Sequence, residues 1–254
     1  MHAHALKDSM EVIRSTSNSK VQYLRKLSNK KFRETEGVFV AEGVNLIKDI
    51  PENILVKSVF LAESKVESLR EIWEKYSSVF VLEDRIFQSI SDTVTPSGIL
   101  AIVALPEKKT PTSKRLMVLD RVSDSGNVGT IIRTAVACGF GDIVMLSGAD
   151  PFSQKAVRSS MGGVFSANIT VMTEEEFLQL GYPLYVLDMA GENLYQFSPQ
   201  EKFALVVGSE SLGISSTLRA KADKVLSIPM EKMESLNAGV SASIAMYQLK
   251  YNCK

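Results

Sequence analysis

Three polar segments in the second half of the chain carry the side chains that could do chemistry. They are Asp124–Arg133, Val206–Gly213 and Ile228–Asn237, and each mixes glycine with amide, hydroxyl or charged residues where a short apolar run ends. Such runs are typical of buried strands, and ligands of open α/β sheets bind where the strands end. The three segments therefore predict one composite site.

The composition limits the chemistry of that site. The only histidines, His2 and His4, lie in a first stretch that we interpret as a loose tail or a cloning remnant, and the only cysteines, Cys138 and Cys253, are far apart. No zinc-type spacing and no CxxC motif occurs, so we expect no metal and a reducing, cytoplasmic location. A Ser-His-Asp or Cys-His system is excluded. Chemistry must therefore use Arg, Lys, Asp, Glu, Ser, Tyr or the ligand itself.

Charge is balanced overall but uneven along the chain. The 254 residues carry a net charge of zero, yet the stretch from Arg14 to Arg33 has seven basic residues and no acidic one. This predicts either a footprint for RNA phosphates or a solvated helix face. No apolar run is long enough to span a bilayer, so no membrane partner is expected. The predicted RNA contacts of the stretch are Arg14, Lys20, Arg25, Lys26, Lys30, Lys31 and Arg33.

Two patterns of predicted elements flank a polar segment with two prolines at Pro106–Lys114. We predict a small α/β domain over residues 11–106, a linker over 107–114 and a second domain over 115–254. In the second domain, short apolar runs alternate with helical patterns, which predicts a parallel sheet covered on both faces. Its predicted strands are Leu116–Leu119, Ile143–Leu146, Ala167–Met172, Leu184–Leu187, Phe203–Val207 and Val225–Ile228. The first domain has predicted strands at Gly37–Ala41, Val56–Leu61, Ser78–Leu82 and Ile99–Ala104, and helices at Val21–Leu27 and Leu69–Tyr76.

Each polar residue of the three segments also has an ordinary structural explanation. Asn127 precedes a helix-like apolar stripe, where a helix N-cap is the simplest role, and Ser235 has the same alternative. Arg133 lies off the stripe and could form a surface ion pair. Gly208 follows a strand and permits close approach of a ligand or a second chain. The stripe consists of Val128, Ile131, Ile132, Ala135 and Val136.

The helix predicted after Asn237 is built largely of small residues. Ala238, Gly239, Ser241, Ala242, Ser243 and Ala245 occur within eight positions. Glycine inside a helix costs about 1 kcal/mol relative to alanine, so a packing reason is expected. The composition predicts a very close approach of a neighbouring helix, either within the fold or across a dimer.

Together, the segments resemble the motifs of one enzyme family. "SGNVGTIIRTAVACGF", "VVGSESLGI" and "IPM…ESLNAGVSASIAMY" are similar in content, order and spacing to the three motifs of the SpoU/TrmH-type RNA 2′-O-ribose methyltransferases of the SPOUT superfamily. Arg158–Gly163 also resembles a recurring family segment. In the first half, "SKVQYLRKLSNKKFRETEGVFVAEG" and "SDTVTPSGILAIV" resemble the L30e-like RNA-binding domain of members that modify ribosomal RNA.

The resemblance implies an α/β fold with a deep trefoil knot after a small L30e-like α/β domain. It implies S-adenosyl-L-methionine as cofactor, a homodimer with the site at its interface, and RNA, most readily 23S ribosomal RNA, as substrate. A 2′-hydroxyl is the feature that separates RNA from DNA. By position, Gly208, Ile228 and Leu236 would line the cofactor site. The catalytic set would be Asn127, Arg133, Glu210, Ser235 and Asn237, and Arg158 would join the RNA contacts.

The sequence also departs from the family pattern and leaves alternatives open. Ser125 replaces a usual proline, Ser211 a usual glycine, and the loop Met230–Glu234 is one residue shorter than common. A transfer-RNA methyltransferase and a non-catalytic RNA-binding protein on the same fold remain alternatives. A Rossmann oxidoreductase is disfavoured because no GxGxxG motif occurs, and the segments lack the Gly-Lys-Ser/Thr of a P-loop.

Overall fold

A computed structural model describes residues 11–252, so that His2, His4 and Cys253 lie outside the described residues. The described chain divides into two compact units. One holds residues 11–105 with Phe152–Gln154, and the other holds residues 106–151 and 155–252. None of the described helices is long and apolar enough to cross a membrane.

The first unit is a mixed α/β unit built on one sheet. Among the described residues its five strands lie in the order β1-β4-β3-β5-β2, with β1, β4 and β3 parallel and β5 antiparallel to both of its neighbours. The strands are β1 Val12–Ile13, β2 Val38–Glu42, β3 Val56–Ala62, β4 Val79–Leu82 and β5 Ile99–Ala104. The helices are α1 Ser19–Lys26, α2 Lys30–Glu36, α3 Val44–Lys48, α4 Arg70–Trp73 and α5 Asp84–Ile90.

The core of the first unit follows from the spacing of its apolar residues. Val21, Leu24 and Leu27 recur at helical spacing along α1 and at its C-cap, and all three are buried against Phe60 and Leu100 of the sheet. Asn18 caps α1 by accepting from the backbone N–H of Lys20, as expected for an amide at a helix start. The predicted helix at Leu69–Tyr76 forms over Arg70–Trp73 only, and the two-residue strand β1 had no predicted counterpart.

The second unit contains the predicted parallel sheet. Its six described strands lie in the order β11-β9-β10-β6-β7-β8, and every neighbouring pair is parallel. The strands are β6 Arg115–Asp120, β7 Asp142–Met145, β8 Asn168–Val171, β9 Leu184–Asn193, β10 Phe203–Gly208 and β11 Lys224–Ser227. The α-helices of this half of the chain are α6 Ser125–Cys138, α7 Gln154–Ser159, α8 Glu174–Gln179, α9 Ser216–Ala220 and α10 Ala238–Tyr251. Strand pairing does not trace a knot, which stays a prediction.

The small residues of α10 allow it to pack tightly on α6 within the fold. A Cβ on Gly239 would lie 3.2 Å from Asn237 Oδ1 and 3.3 Å from both Asn127 Oδ1 and Thr130 Cβ. Across the same contact, Thr134 Oγ1 and Ser243 Oγ are 2.9 Å apart. The close helix approach predicted from the sequence is therefore present inside one chain.

Part of the predicted linker is fastened to the second unit. The backbone N–H groups of Thr112 and Ser113 donate to Asp142 Oδ2 at 2.9 and 2.6 Å, and Asn168 Nδ2 donates to Asp142 Oδ1 at 2.5 Å. Burial raises the pKa of the Asp142 carboxyl, but the hydrogen bonds from Ser113, Asn168 and Thr112 outweigh it and leave the pKa lowered. The ionised carboxylate thus holds this stretch against the amino end of β7.

Candidate functional site

The second and third polar segments meet at one pocket, and the first segment is joined to it by the hydrogen bond between Asn127 and Glu210. The pocket is lined by the middle of β9, the end of β10, the loop after β10 and the loop that leads into α10. Five of the predicted site residues line it, namely Gly208, Glu210, Ile228, Ser235 and Leu236. All three predicted cofactor contacts are in this group, so residues up to 28 positions apart in sequence share one wall.

The wall of the pocket combines apolar side chains with two carboxylates. Val207, Ile228 and Leu236 supply apolar surface, while Asp188 and Glu210 supply acidic groups, and the lining includes no lysine or arginine. Asp188 accepts from the backbone N–H of Ala190 at 3.0 Å and is ion-paired with Arg219. An apolar cleft with a negative rim favours a ligand that carries apolar or aromatic parts and positive charge.

Gly208 is required by the chain itself. A Cβ at this position would lie 2.5 Å from both the carbonyl carbon and the oxygen of Gly213, and 2.8 Å from Ile214 Cγ1. The loop after β10 folds back so that the N–H of Gly213 donates to the carbonyl of Ser209 at 2.9 Å. The close backbone approach that the sequence predicted is therefore an approach of this loop to its own strand.

Asn127 joins the first segment to the second. It lies in the first turn of α6, is only 9% exposed, and its Nδ2 donates to Glu210 Oε1. The N-cap alternative for Asn127 is wrong, because Asp124 caps α6 and accepts from the N–H of Asn127 at 2.8 Å. The pKa of the Asp124 carboxyl is lowered, chiefly because Lys155 Nζ donates a hydrogen bond to it and secondly because the N–H of Asn127 does.

Asn237, and not Ser235, is the N-cap of the helix that follows the third segment. Helix α10 begins at Ala238, and Asn237 is its N-cap, accepting from the N–H of Val240 at 3.2 Å. Ser235 lies two residues earlier in an exposed loop and lines the pocket. The N-cap alternative for Ser235 is therefore wrong, and Ser235 belongs to the wall of the candidate site.

Arg133 lies apart from the pocket of its own chain. Its side chain is exposed on α6, outside the pocket lining, and it forms no hydrogen bond or ion pair with another described residue. The backbone at Arg133 is packed against the Gly162–Gly163 turn, where a Cβ on Gly163 would lie 3.2 Å from Arg133 Cα. The helix is thus rigidly placed while the guanidinium faces outward.

The predicted RNA contacts divide into exposed and buried groups. Arg33 does not belong with the others: it is 5% exposed, and Nη1 donates to the carbonyls of Leu27 and Ser28 at 2.6 and 2.8 Å. The prediction that Arg33 contacts RNA is not supported, because its charge is used to close the turn between α1 and α2. Arg158 is half-buried near the end of α7. Exposed members of the set are Arg14, Arg25, Lys26, Lys30 and Lys31, while Lys20 lies half-buried over Phe80.

Two acidic residues of the parallel sheet were not predicted from the sequence. Asp120 is buried at the end of β6, and Asp188 lines the pocket within β9. Both follow an apolar run, in the strings "LMVLD" and "LYVLD". The signal of an acidic residue directly after a short apolar run could have identified both Asp120 and Asp188. The described residues contain no group of three or more His, Cys, Asp or Glu side chains placed to hold a metal ion.

The chain matches two known protein families and is similar to characterised relatives. Residues 114–247 match the SpoU rRNA methylase family, and residues 18–101 match a domain described as the MRM3-like substrate binding domain. The chain is 34% identical, over 95% of its length and 100% of the relative, to the Bacillus subtilis (strain 168) 23S rRNA (guanosine(2553)-2′-O)-methyltransferase RlmP. It is 27% identical, over 89% of its length and 87% of the relative, to the Streptomyces viridochromogenes 23S rRNA (uridine(2479)-2′-O)-methyltransferase.

Solved structures show the same architecture. An AdoMet-bound rRNA methyltransferase from Sinorhizobium meliloti superposes with a TM-score of 0.80 at 25% identity, covering 95% of this chain and 98% of that one. The agreement extends over both compact units, because the coverage leaves only a few residues of either chain unmatched.

Proposed function

Because the chain belongs to the SpoU rRNA methylase family, we propose that it transfers a methyl group from S-adenosylmethionine to a ribose 2′-oxygen of 23S ribosomal RNA in the cytoplasm. The observation that carries the proposal is the meeting of the second and third strand-end segments on one pocket, which Gly208, Glu210 and Ser235 line. The first segment is joined to this pocket by the hydrogen bond from Asn127 to Glu210. The similarity of the chain, over nearly its whole length, to the Bacillus subtilis enzyme supports the choice of 23S RNA.

The pocket is suited to S-adenosylmethionine. The acidic groups of Asp188 and Glu210 suit a ligand with an ammonium and a sulfonium, and the apolar side chains of Val207, Ile228 and Leu236 suit an adenine. When bound, the cofactor supplies a methyl group on an already electrophilic sulfonium. The shortened loop at Met230–Glu234 still contributes Met230 to the wall.

The polar residues of the site would orient the ribose and stabilise developing charge. Asn127 and Glu210 are held together by their hydrogen bond, and Ser235 lines the pocket. Arg133 is proposed to stabilise the 2′-oxygen as it loses its proton. Arginine stays protonated in proteins, so it acts as a fixed positive charge, or with an RNA phosphate as the base, rather than as a base alone.

We further propose that two copies of the chain associate and that Arg133 serves the pocket of the other copy. In support, Arg133 is exposed and lies outside the lining of its own pocket, and α10 carries exposed Val240, Tyr247 and Tyr251 on a helix that packs next to α6. Exposed aromatic and aliphatic side chains are enriched at interfaces between subunits. The oligomeric state can be measured by light scattering, and a monomer at working concentration would contradict this proposal.

The exposed basic residues of the first unit are proposed to hold the RNA backbone. Arg25, Lys26 and Lys31 lie on α1 and α2, the stretch that begins the match to the MRM3-like substrate binding domain. Lysine and arginine contacts to phosphates supply most of the non-specific affinity for nucleic acid and weaken with salt. Binding to RNA is therefore expected to fall steeply as the salt concentration rises.

The test is transfer of labelled methyl from S-adenosylmethionine to unmodified 23S, 16S and transfer RNA. We expect label on 23S RNA, mapped to a ribose. The label should be abolished in Arg133→Ala and kept in Lys114→Ala, since Lys114 directly precedes β6, at the opposite end of that strand from the site, and its exposed side chain pairs with Glu201. Label on transfer RNA would favour the alternative substrate. The absence of both methyl transfer and cofactor binding would favour the alternative of a non-catalytic RNA-binding protein. Cofactor binding without transfer calls for ribosomal precursor particles as substrate.

Complementation tests whether the site is shared between copies. Arg133→Ala and Ser235→Ala are each expected to be inactive alone. Mixed dimers would then place an intact Arg133 opposite an intact Ser235 in one of their two sites, and activity should return on mixing. No recovery, with mixed dimers demonstrated by differential tagging, would mean that each chain supplies its own Arg133.

A further inference from the structure

Asp120 and Arg121 have no role in the proposed reaction, yet both contact the loop that carries Glu210. We propose that they form a positioning pair, which fixes the loop 209–215 over the pocket and so sets the affinity for the methyl donor and the contact between Asn127 and Glu210. This inference rests on the proposed function, because the position of the loop affects the reaction only if the pocket binds that donor.

Asp120 ties the far end of the loop to the sheet. It ends β6 directly beside Gly208, its register partner on β10. Its carboxylate is buried, and Oδ2 accepts a hydrogen bond of 2.6 Å from the backbone N–H of Ser215. A hydrogen bond to an ionised acceptor is stronger than one between neutral groups. The loop therefore leaves β10 after Gly208 and is fastened, seven residues later at Ser215, to the end of the neighbouring strand.

Arg121 adds a second tie to the same loop. Nε and Nη2 donate to the two carboxylate oxygens of Asp120 at 3.0 and 3.2 Å, and Nη2 also donates to the carbonyl of Gly213 at 3.3 Å. The planar guanidinium can serve a carboxylate and a carbonyl at once, whereas a lysine ammonium lacks this fork. The pair thus holds the loop at both Gly213 and Ser215.

The backbone of Arg121 is in a conformation that arginine rarely adopts. Its φ is +60°, and the chain turns there because the next residue, Val122, bridges to Gly148 and accepts from the N–H of Ala149 at 2.8 Å. Glycine would adopt this φ at lower cost. Strained residues persist where the surroundings hold them and cluster at functional sites. The strain at this position therefore points to a use for the side chain.

Glu210 lies in the loop between strand β10 and the two residues, Gly213 and Ser215, that Arg121 and Asp120 hold by hydrogen bonds. The loop folds back so that the N–H of Gly213 donates to the carbonyl of Ser209, and Ser209 Oγ lies 3.3 Å from Ser211 Oγ. Glu210 projects from this fold to Asn127 on α6. Because the fold closes at the residue that Arg121 holds, loss of the guanidinium is expected to release Glu210 and the pocket wall together.

Arg121→Gly is the decisive variant, because it removes the guanidinium and relieves the backbone strain at once. Relief of the strain offsets part of the cost of leaving the buried Asp120 carboxylate without its ion pair, so we expect only a modest fall of the thermal unfolding midpoint, while amide hydrogen exchange over residues 209–215 becomes severalfold faster. The dissociation constant for S-adenosylmethionine, measured by titration calorimetry, should rise about tenfold, equivalent to about 1.4 kcal/mol. Lys114→Ala removes an exposed ion pair with Glu201 in the same unit and should change none of the three.

Two further results bear on the pair. Arg121→Lys keeps the charge without the fork and should fall between wild type and Arg121→Gly in loop exchange and in affinity. Unchanged loop exchange in Arg121→Gly, or a dissociation constant within twofold of the wild-type value, would overturn the proposal. A lowered midpoint with unchanged exchange would do the same, since it indicates a merely structural role. If the wild type neither binds the donor nor transfers methyl, the proposed function fails, while loop exchange still tests the positioning pair.

Discussion

Replacing Gly208 by alanine tests how the pocket is built. The added Cβ would meet Gly213 C and O at 2.5 Å, whereas carbon contacts are optimal at about 3.5–4.0 Å, so Gly213 must move away by roughly 1 Å. The φ of Gly208 is not positive, so alanine brings no backbone strain of its own. Overpacking of this kind costs about 1–3 kcal/mol.

Most of that cost is expected to appear as lost affinity rather than lost stability. The loop after β10 is exposed at Glu210, Ser211 and Leu212, so it can shift outward without disturbing the core. Since the same loop lines the pocket, a displacement of about 1 Å and 1–3 kcal/mol should raise the dissociation constant for S-adenosylmethionine about 5- to 150-fold. Titration calorimetry measures the affinity, and the thermal midpoint should change little.

Gly181→Ala is the matched control for Gly208→Ala. Gly181 has a φ of +64° and nothing within 4 Å of an added Cβ, and it does not line the pocket. Its replacement should therefore lower stability through backbone strain while leaving the affinity unchanged. A dissociation constant within twofold of wild type in Gly208→Ala would refute the reasoning, as would equal losses of affinity in both variants.

Three further outcomes follow from buried contacts, each read from unfolding in denaturant. Asp142→Asn should lower the free energy of unfolding by about 2 kcal/mol at pH 7. Because the pKa of Asp142 is lowered in the folded protein, its stabilisation is present above the unfolded pKa of about 3.9 and is lost as the pH falls through the lower folded value. The difference in unfolding free energy between the variant and the wild type must therefore disappear in acid. Arg33→Ala should destabilise by about 1–3 kcal/mol, while the exposed Lys31→Ala should instead weaken RNA binding with little change in stability; the reverse pattern would contradict the burial of Arg33. Gly129→Ala, whose Cβ would lie 2.5 Å from the carbonyl O of Ala156, should cost about 1–3 kcal/mol by overpacking α6 against α7, and an unchanged midpoint would show that the helices can separate.

The parallel sheet and the convergence of the segments could be predicted because they depend on local patterns. Short continuous apolar runs identify strands buried on both faces, and parallel strands bring their carboxyl ends to one edge. Gly208, Glu210 and Ser235 therefore meet at the pocket, as their positions after apolar runs indicated. The close packing of α10 was likewise visible in its small residues, since only glycine fits at position 239 without crowding Thr130.

Features that depend on distant partners could not be predicted from local patterns. Arg33 lies in a basic stretch of the kind that contacts phosphates, but its guanidinium donates hydrogen bonds to the carbonyls of Leu27 and Ser28 in the turn. The local pattern favours Asn127 as the N-cap of α6, yet Asp124 takes that role, because both side chains can cap a helix. Strand β9 continues to Asn193 through a bulge against β11, and its polar sequence after Leu187 gave no sign of this pairing.

The packing of α10 on α6 brings the amino ends of two 14-residue helices together. Asn237 caps one helix, Asn127 lies in the first turn of the other, and both amide oxygens lie within 3.3 Å of the same point beside Gly239. Each helix amino end behaves as roughly half a positive elementary charge. The backbone thus supplies a permanent positive field at this place, and the carboxylate of Asp124, the N-cap of α6, lies in it. No proton can be removed from this field, so it persists at any pH at which the helices stay folded.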